Sequence, residues 1–173
     1  MIHTPQVLES DLQRLASRLG DCLAARGWMA ATAESCTGGG IAAAITDIAG
    51  SSAWFDRGFV TYSNAAKQEL LGVQAATLAR LGAVSEETAG EMASGALGRS
   101  AAHVSVAVTG VAGPGGGSVE KPVGTVCFGF ATRDGQVVLR RRLFGGDRAA
   151  VRRQTVFAAL EGLLALAEGQ VPR

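Results

Sequence analysis

The sequence has few of the side chains on which most hydrolytic sites depend. Two histidines, three cysteines and one tyrosine occur among its 173 residues. His3 is close to the N-terminus, where chains are often poorly ordered, so His103 alone remains as a candidate for a site. A His-rich zinc centre or a histidine-based triad is therefore hard to assemble. Cys22, Cys36 and Cys127 are widely spaced and form no C-x-x-C pair, a pattern typical of reduced thiols. We therefore expect no metal site and no disulfide framework.

Strong charge and long apolar runs are also missing. The formal net charge is +1 and aromatic residues make up 5% of the chain, so there is neither a basic field nor a stacking surface for nucleic acid. No basic segment precedes an apolar one at the N-terminus, and no apolar run reaches about 20 residues, which disfavours export and membrane insertion. We therefore expect a cytoplasmic protein that binds neither nucleic acid nor membrane.

The length and the apolar periodicity indicate a single domain over residues 1–173, with residues 1–5 flexible. Helical spacing predicts helices over residues 8–26, 41–48, 65–71 and 85–97 and after Asp147, and apolar runs predict strands over residues 28–33, 54–63 and 104–108. Asp134-Gly135 separates two further apolar runs, at 123–131 and 137–144, and is a strong hairpin signal. The order of elements predicts a three-layer α/β/α domain whose sheet is mixed, mostly parallel, and includes an antiparallel hairpin.

The stretch at residues 33–40 is the most informative part of the chain, because a serine and a cysteine stand between a predicted strand and a glycine-rich helix start. Unpaired N–H groups at a helix start hold an oxyanion or a phosphate. Ser35 is therefore the candidate nucleophile, with the N–H groups of Thr37, Gly38 and Gly39 as an oxyanion hole. A simple helix-capping serine is the alternative, and Cys36 is the rival nucleophile.

A serine nucleophile needs a base, and with histidine scarce the candidates are Tyr62 and Lys67. Tyr62 is at the end of a predicted strand and Lys67 is in the first turn of the helix after it. Because ligands collect beyond the carboxyl ends of the strands in open α/β sheets, we expect both to meet Ser35 there. Structural or solvated roles for both side chains are the alternative.

Two further groups are candidates for substrate binding. Thr109 and Gly110 begin a second glycine-rich loop, whose N–H groups can cradle a phosphate or an amide. Arg148 stands at the start of the last predicted helix, where a guanidinium can bind phosphate with two hydrogen bonds. A plain turn and an exposed charge are the alternatives for these two features.

Four segments in this order resemble the CinA C-terminal domain family, over nearly the whole chain: residues 33–39 (AESCTGG), 58–64 (GFVTYSN), 109–114 (TGVAGP) and 121–125 (KPVGT). The resemblance implies hydrolysis of the carboxamide of nicotinamide mononucleotide, with no metal or organic cofactor, in a homo-oligomer. Our hypothesis is that Ser35 attacks the amide carbon, with Lys67 and Tyr62 taking its proton and passing it to the departing ammonia. Arg148 and the Thr109-Gly110 loop would then bind phosphate and ribose.

Three questions stay open at this point. The family is likened to serine β-lactamases, yet Lys67 does not stand in an S-x-x-K relation to Ser35, so the lysine comes from another element. Whether Lys67 or Tyr62 accepts the proton is undecided. A nucleotide-binding regulator without turnover, and a module that assembles with competence or recombination proteins, are the alternative functions.

Overall fold

The structure is a computed structural model that describes residues 6–173. Residues 1–5, for which the sequence predicts flexibility, lie outside the described residues. A five-stranded sheet forms the middle of the fold in the order β2-β1-β3-β4-β5. Its strands are β1 Ala30–Glu34, β2 Phe55–Val60, β3 Val104–Gly110, β4 Thr125–Thr132 and β5 Val137–Leu143.

The sheet is mixed, as predicted. β1 pairs in parallel with β2 and with β3, whereas β3–β4 and β4–β5 are antiparallel. Four of the strands therefore point in one direction and β4 runs against them. The predicted hairpin around Asp134-Gly135 is the β4–β5 connection.

Helices cover both faces of the sheet, which confirms the predicted three-layer α/β/α architecture. The helices are α1 Glu9–Arg26, α2 Gly40–Thr46, α3 Asn64–Leu71, α4 Ala75–Leu81, α5 Glu86–Gly98 and α6 Arg148–Ala167. α1, α2 and α6 pack on one face, and α3, α4 and α5 pack on the other.

Helix α4 is not predicted from the sequence, because it has no capping side chain of its own at its start. The cap comes instead from Glu91 on α5, whose carboxylate accepts hydrogen bonds from the N–H of Gln74 at 2.7 Å and from the hydroxyl of Thr77 at 2.6 Å. A cap supplied from a distant element leaves no local signal in the sequence.

The alternation of side chains along β3 sets the two cores of the domain. Val104, Val106 and Val108 enter the larger core beneath α1 and α6, and Ala107 faces α5. The α5 side of the sheet carries small residues, so the α5 backbone lies directly on the strands. At Gly129 of β4 a side chain would overlap the backbone carbonyl of Ala89.

The carboxyl ends of the three parallel strands meet at one edge of the sheet. β1 ends at Glu34 and is followed by Ser35, β2 ends at Val60, and β3 ends at Gly110. The backbone ties these ends together, because the N–H of Ser35 donates to Val108 O at 3.0 Å and the N–H of Thr61 donates to Glu34 O at 2.9 Å. Side chains that follow these strands are therefore held close to one another.

Close packing of α5 against the end of α3 gives a test of the fold. A Cβ at Gly95 would overlap the carbonyl group of Leu71, whereas a Cβ at Gly98 would meet nothing within 4 Å. Both glycines lie in α5, Gly95 inside the helix and Gly98 as its last residue, so helix propensity alone would favour alanine at least as much at Gly95. We expect Gly95→Ala to destabilise the protein by about 1–3 kcal/mol relative to Gly98→Ala, in urea unfolding followed by circular dichroism. Equal stabilities of the two variants would contradict this packing.

Candidate active site

A small pocket of about 220 Å³ lies at the carboxyl edge of the parallel strands. It is lined by Ser35, Cys36, Tyr62, Asn64, Lys67, Ala83, Val84, Thr109, Gly110, Ala112 and Arg148. Seven of the residues singled out from the sequence thus come together in one place. A larger depression of about 480 Å³ beside the start of α6 has no serine, cysteine, lysine or histidine in its lining.

Ser35 and Lys67 are in direct contact in this pocket. The Ser35 Oγ atom lies 3.1 Å from Lys67 Nζ, and Nζ also donates to Thr61 O at 3.0 Å. Lys67 is 1% exposed and Ser35 is 8% exposed. A nucleophile-capable hydroxyl and an amine within hydrogen-bond distance, away from bulk water, form the kind of pair that serine hydrolysis needs.

Lys67 is buried without a carboxylate partner. None of the ion pairs found among residues 6–173 includes it, and both of its hydrogen-bond partners are uncharged. Burial therefore lowers the pKa of Lys67 from its ordinary value of 10.5, because an isolated ammonium is poorly solvated there. This shift increases the share of the neutral amine, which is the form that can accept a proton.

Cys36 lines the same pocket, but its thiol is held in the neutral form. Burial raises the pKa of Cys36 to about 12, and this desolvation outweighs the lowering by nearby Arg152 and Lys67. The activation that a helix start gives to some cysteines is therefore absent. Between the two candidate nucleophiles, the electrostatics favour Ser35.

The start of α2 is closed by a side chain of the protein itself. The Glu34 carboxylate accepts hydrogen bonds from the hydroxyl of Thr37 at 2.6 Å and from the N–H groups of Ile41 and Ala42 at 2.8 and 3.0 Å. The carboxylate thus occupies the N–H groups of Ile41 and Ala42 in the first turn of α2, and it leaves the N–H groups of Thr37, Gly38 and Gly39 unbound by it. A glutamate directly before the glycine-rich turn was the available sequence signal.

The glycines of this turn shape the backbone and do not reach the pocket. The N–H of Gly38 donates to Ser35 O at 3.0 Å, so it is not free for an oxyanion. Gly38 and Gly39 have φ values of 61° and 102°, which favour glycine. Thr37, Gly38 and Gly39 are not among the lining residues. Across residues 6–173, no acceptor in another residue binds the N–H of Cys36 or Thr37.

On the opposite wall, Thr109 and Gly110 have separate roles. The Thr109 hydroxyl is buried and donates to Ala83 O at 2.8 Å, so it anchors the segment after α4. Val111 donates its N–H to Thr125 O. In the alternating pattern of antiparallel pairing, the N–H of Gly110 therefore points away from β4 and toward the side of Ser35.

Tyr62 and Arg148 form the mouth of the pocket. Tyr62 is 63% exposed, and its hydroxyl accepts a hydrogen bond from Arg148 Nη2 at 3.2 Å. Arg148 Nη1 donates to Gly113 O at 2.9 Å, which ties the glycine-rich loop to α6. Within the described part of the chain, no hydrogen bond joins Tyr62 to Ser35. Of the two candidate bases, Lys67 alone contacts the serine.

Four lining residues had not been singled out from the sequence: Asn64, Ala83, Val84 and Ala112. Ala83 and Val84 follow α4, the helix that the sequence did not predict, so their position had no local signal. Asn64 and Ala112 belong to two of the segments that carry the family resemblance, and this membership was the only indication available for them.

Two structural features are absent from residues 6–173. No group of three or more histidine, cysteine, aspartate or glutamate side chains is placed to hold a metal ion there. In the same residues, no helix is long and apolar enough to cross a membrane.

Known proteins similar to this chain include curated enzymes. This chain is 60% identical over 156 residues to the nicotinamide-nucleotide amidohydrolase PncC of Enterobacter agglomerans, and the alignment covers 90% of this chain and 95% of that protein. It is 57% identical over 155 residues to the protein of the same name from Escherichia coli strain K12, covering 90% and 94% of the two chains.

A solved structure and a family model agree with these relatives. The crystal structure of the competence/damage inducible protein CihA from Agrobacterium tumefaciens superposes with a TM-score of 0.89 at 52% identity, covering 96% of this chain and 99% of that one. The model of the CinA C-terminal domain matches residues 12–167. The chain belongs to the CinA C-terminal domain family.

Proposed function

We propose that the protein is an amidohydrolase that converts nicotinamide mononucleotide to nicotinic acid mononucleotide and ammonia, with Ser35 as nucleophile and Lys67 as base. The names of the two curated relatives support the reaction. The contact of 3.1 Å between Ser35 Oγ and the buried Lys67 Nζ carries the assignment of residues.

The chemistry follows from the neutral state of the lysine. Lys67 Nζ accepts the hydroxyl proton as Ser35 Oγ bonds to the carboxamide carbon, which makes a tetrahedral oxyanion. Lys67 then passes the proton to the departing nitrogen, the C–N bond breaks, and ammonia leaves an acyl ester on Ser35. Water, deprotonated by the same amine, hydrolyses the ester and restores both side chains.

Backbone N–H groups are the proposed donors to the oxyanion. Those of Cys36 and Thr37 have no acceptor in another described residue, and they follow the nucleophile directly, as in the strand-to-helix turn of other serine hydrolases. The N–H of Gly110 approaches from the opposite wall. This set leaves out the N–H of Gly38, which donates to Ser35 O, and that of Gly39, which lies four residues after Ser35.

The pocket size indicates how the substrate lies. A volume of about 220 Å³ is below the ~300–1,000 Å³ of sites that enclose a whole drug-sized ligand. We infer that the carboxamide and the pyridine ring enter the pocket, while ribose and phosphate stay at the mouth. There Arg148 can exchange its contact with the Tyr62 hydroxyl for the phosphate, and the exposed Tyr62 ring can face the cationic pyridinium.

Replacement of the nucleophile is the first test of this function. Ser35→Ala should retain the fold and lower ammonia release from nicotinamide mononucleotide by at least about 10³-fold, because among residues 6–173 no other hydroxyl is hydrogen-bonded to Lys67. Cys36→Ala should still release ammonia, since its thiol is not the nucleophile. Turnover by Ser35→Ala would contradict the mechanism, and tight nucleotide binding without turnover by the wild type would favour the regulator alternative.

The protonation of Lys67 gives a second prediction. Since the neutral amine is the active form, kcat/KM should rise with pH through the lowered pKa of Lys67 and level off below its ordinary value of 10.5. In Lys67→Arg the guanidinium stays charged and cannot release its proton at these pH values, so activity should fall at least about 100-fold across the range. A pH profile without this rise, or an active arginine variant, would contradict a lysine base.

The same shift also predicts how stability depends on pH. The folded protein binds a proton at Lys67 less readily than the unfolded chain does. Between the lowered pKa and 10.5, the free energy of unfolding therefore increases as the pH rises. In Lys67→Met this increase should be missing when the free energy of unfolding in urea is measured over the same pH range as for the wild type.

Loss of the mouth arginine tests the substrate. Arg148→Gln should raise KM for nicotinamide mononucleotide about 10- to 100-fold, because a charge-assisted hydrogen bond to phosphate is removed. KM for nicotinamide riboside, which lacks the phosphate, should change much less in the same variant. Equal losses for both compounds would mean that Arg148 acts only through Tyr62 and the loop at Gly113.

A further inference from the structure

Glu34 is the largest buried charged group that the proposed chemistry does not use directly. Its side chain is 1% exposed, in the last position of β1 and next to the nucleophile. Its two oxygens take three hydrogen bonds: Oε1 from the Thr37 hydroxyl and the Ile41 N–H, and Oε2 from the Ala42 N–H. All three partners are donors, which matches a carboxylate that only accepts.

We propose that Glu34 is a positioning residue that fixes the N–H groups of Cys36 and Thr37 toward the reacting carbonyl group. The proposal rests on the amidohydrolase function described above. It assigns to the carboxylate no contact with substrate. Its effect passes through the backbone of the turn between β1 and α2.

The two ends of this turn are held by different means. Ser35 is fixed on the sheet, because its N–H donates to Val108 O at 3.0 Å and the neighbouring Glu34 O accepts from the Thr61 N–H at 2.9 Å. The following residues up to Gly39 belong to no regular element. The turn has only two backbone hydrogen bonds of its own, from Gly38 to Ser35 O and from Gly40 to Thr37 O.

Glu34 spans this turn from end to end. Its backbone belongs to β1, and its carboxylate holds Thr37 in the middle of the turn and the first residues of α2 beyond it. The nucleophile therefore stays in place without the carboxylate, whereas the direction of the N–H groups after it depends on the carboxylate. Donors to an oxyanion act only when they point at the position that the oxygen will occupy.

The test compares Glu34→Gln and Glu34→Ala with the control Glu91→Gln. Glutamine keeps one acceptor oxygen but turns an NH₂ group toward a donor, so Glu34→Gln should hold the turn only in part. Alanine has no acceptor, so Glu34→Ala should not hold it at all. Glu91 is a matched control because it also caps a helix, through one backbone N–H and one threonine hydroxyl at the start of α4. Two readouts are taken: kcat and KM for nicotinamide mononucleotide, and the labelling rate of Ser35 by a fluorophosphonate.

Labelling tests the oxyanion donors without the substrate. The probe forms an Oγ–P bond and loses fluoride through an oxyanion-like state, and its burst also counts the folded active sites. We expect kcat per active site to fall about 10- to 100-fold in Glu34→Gln and further in Glu34→Ala. KM should stay within about 3-fold, since Arg148 and Tyr62 are untouched, and labelling should slow in parallel. Glu91→Gln should keep both rates within about 2-fold.

Other results would overturn the assignment. A Glu34→Gln variant with kcat and labelling rate within about 2-fold of the wild type would exclude a positioning role, as would an equal loss in Glu91→Gln. If Glu34→Ala does not fold, Glu34→Gln decides alone. If the wild type labels at Ser35 but releases no ammonia, the proposed substrate is wrong and the labelling series still judges Glu34. If the fluorophosphonate does not label Ser35 in the wild type, the positioning role of Glu34 is overturned as well.

Discussion

The burial of one amine without a counter-charge is the constraint on which the site depends. Lys67 Nζ lies between Ser35 Oγ and Thr61 O with almost no exposure to solvent. In water an ammonium would be the stable form, and a buried carboxylate beside it would have preserved that form. With two uncharged acceptors and no carboxylate, the fold lowers the pKa of Lys67. In the proposed mechanism this amine is the base of a chain that has only two histidines.

The sheet determines which groups can meet this amine. Three parallel strands end at one edge, so the chain segments that follow them approach one another over Lys67. Ser35 follows β1, Thr61 and Tyr62 follow β2, and Gly110 ends β3. The helices then fix the details: α3 carries the lysine, α6 brings Arg148 to the mouth, and the cap from Glu34 holds the turn after the nucleophile. Position in the fold, more than local sequence, makes these residues a site.

Much of this arrangement could be predicted from the sequence, and what could not has physical causes. The strands, the hairpin and five of the six helices follow from periodicity and from local capping residues such as Ser85 and Asp147. The start of α4 depends on Glu91 in another helix, which no local pattern reveals. The choice of Lys67 over Tyr62 as the group in contact with Ser35 required three-dimensional distances. The availability of the N–H groups at α2 required knowing where the Glu34 side chain points.

The charge state of Lys67 is the most direct test of the account. The chain contains only two lysines, Lys67 and Lys121, so ¹³C labelling at lysine Cε gives two NMR signals, and Lys67→Arg identifies which one belongs to Lys67. If Lys67 is the base, this signal titrates clearly below the ordinary pKa of 10.5 while the protein stays folded. Titration of Lys67 at or above 10.5 would contradict it, because the amine would then be charged under working conditions and could not take the proton of Ser35.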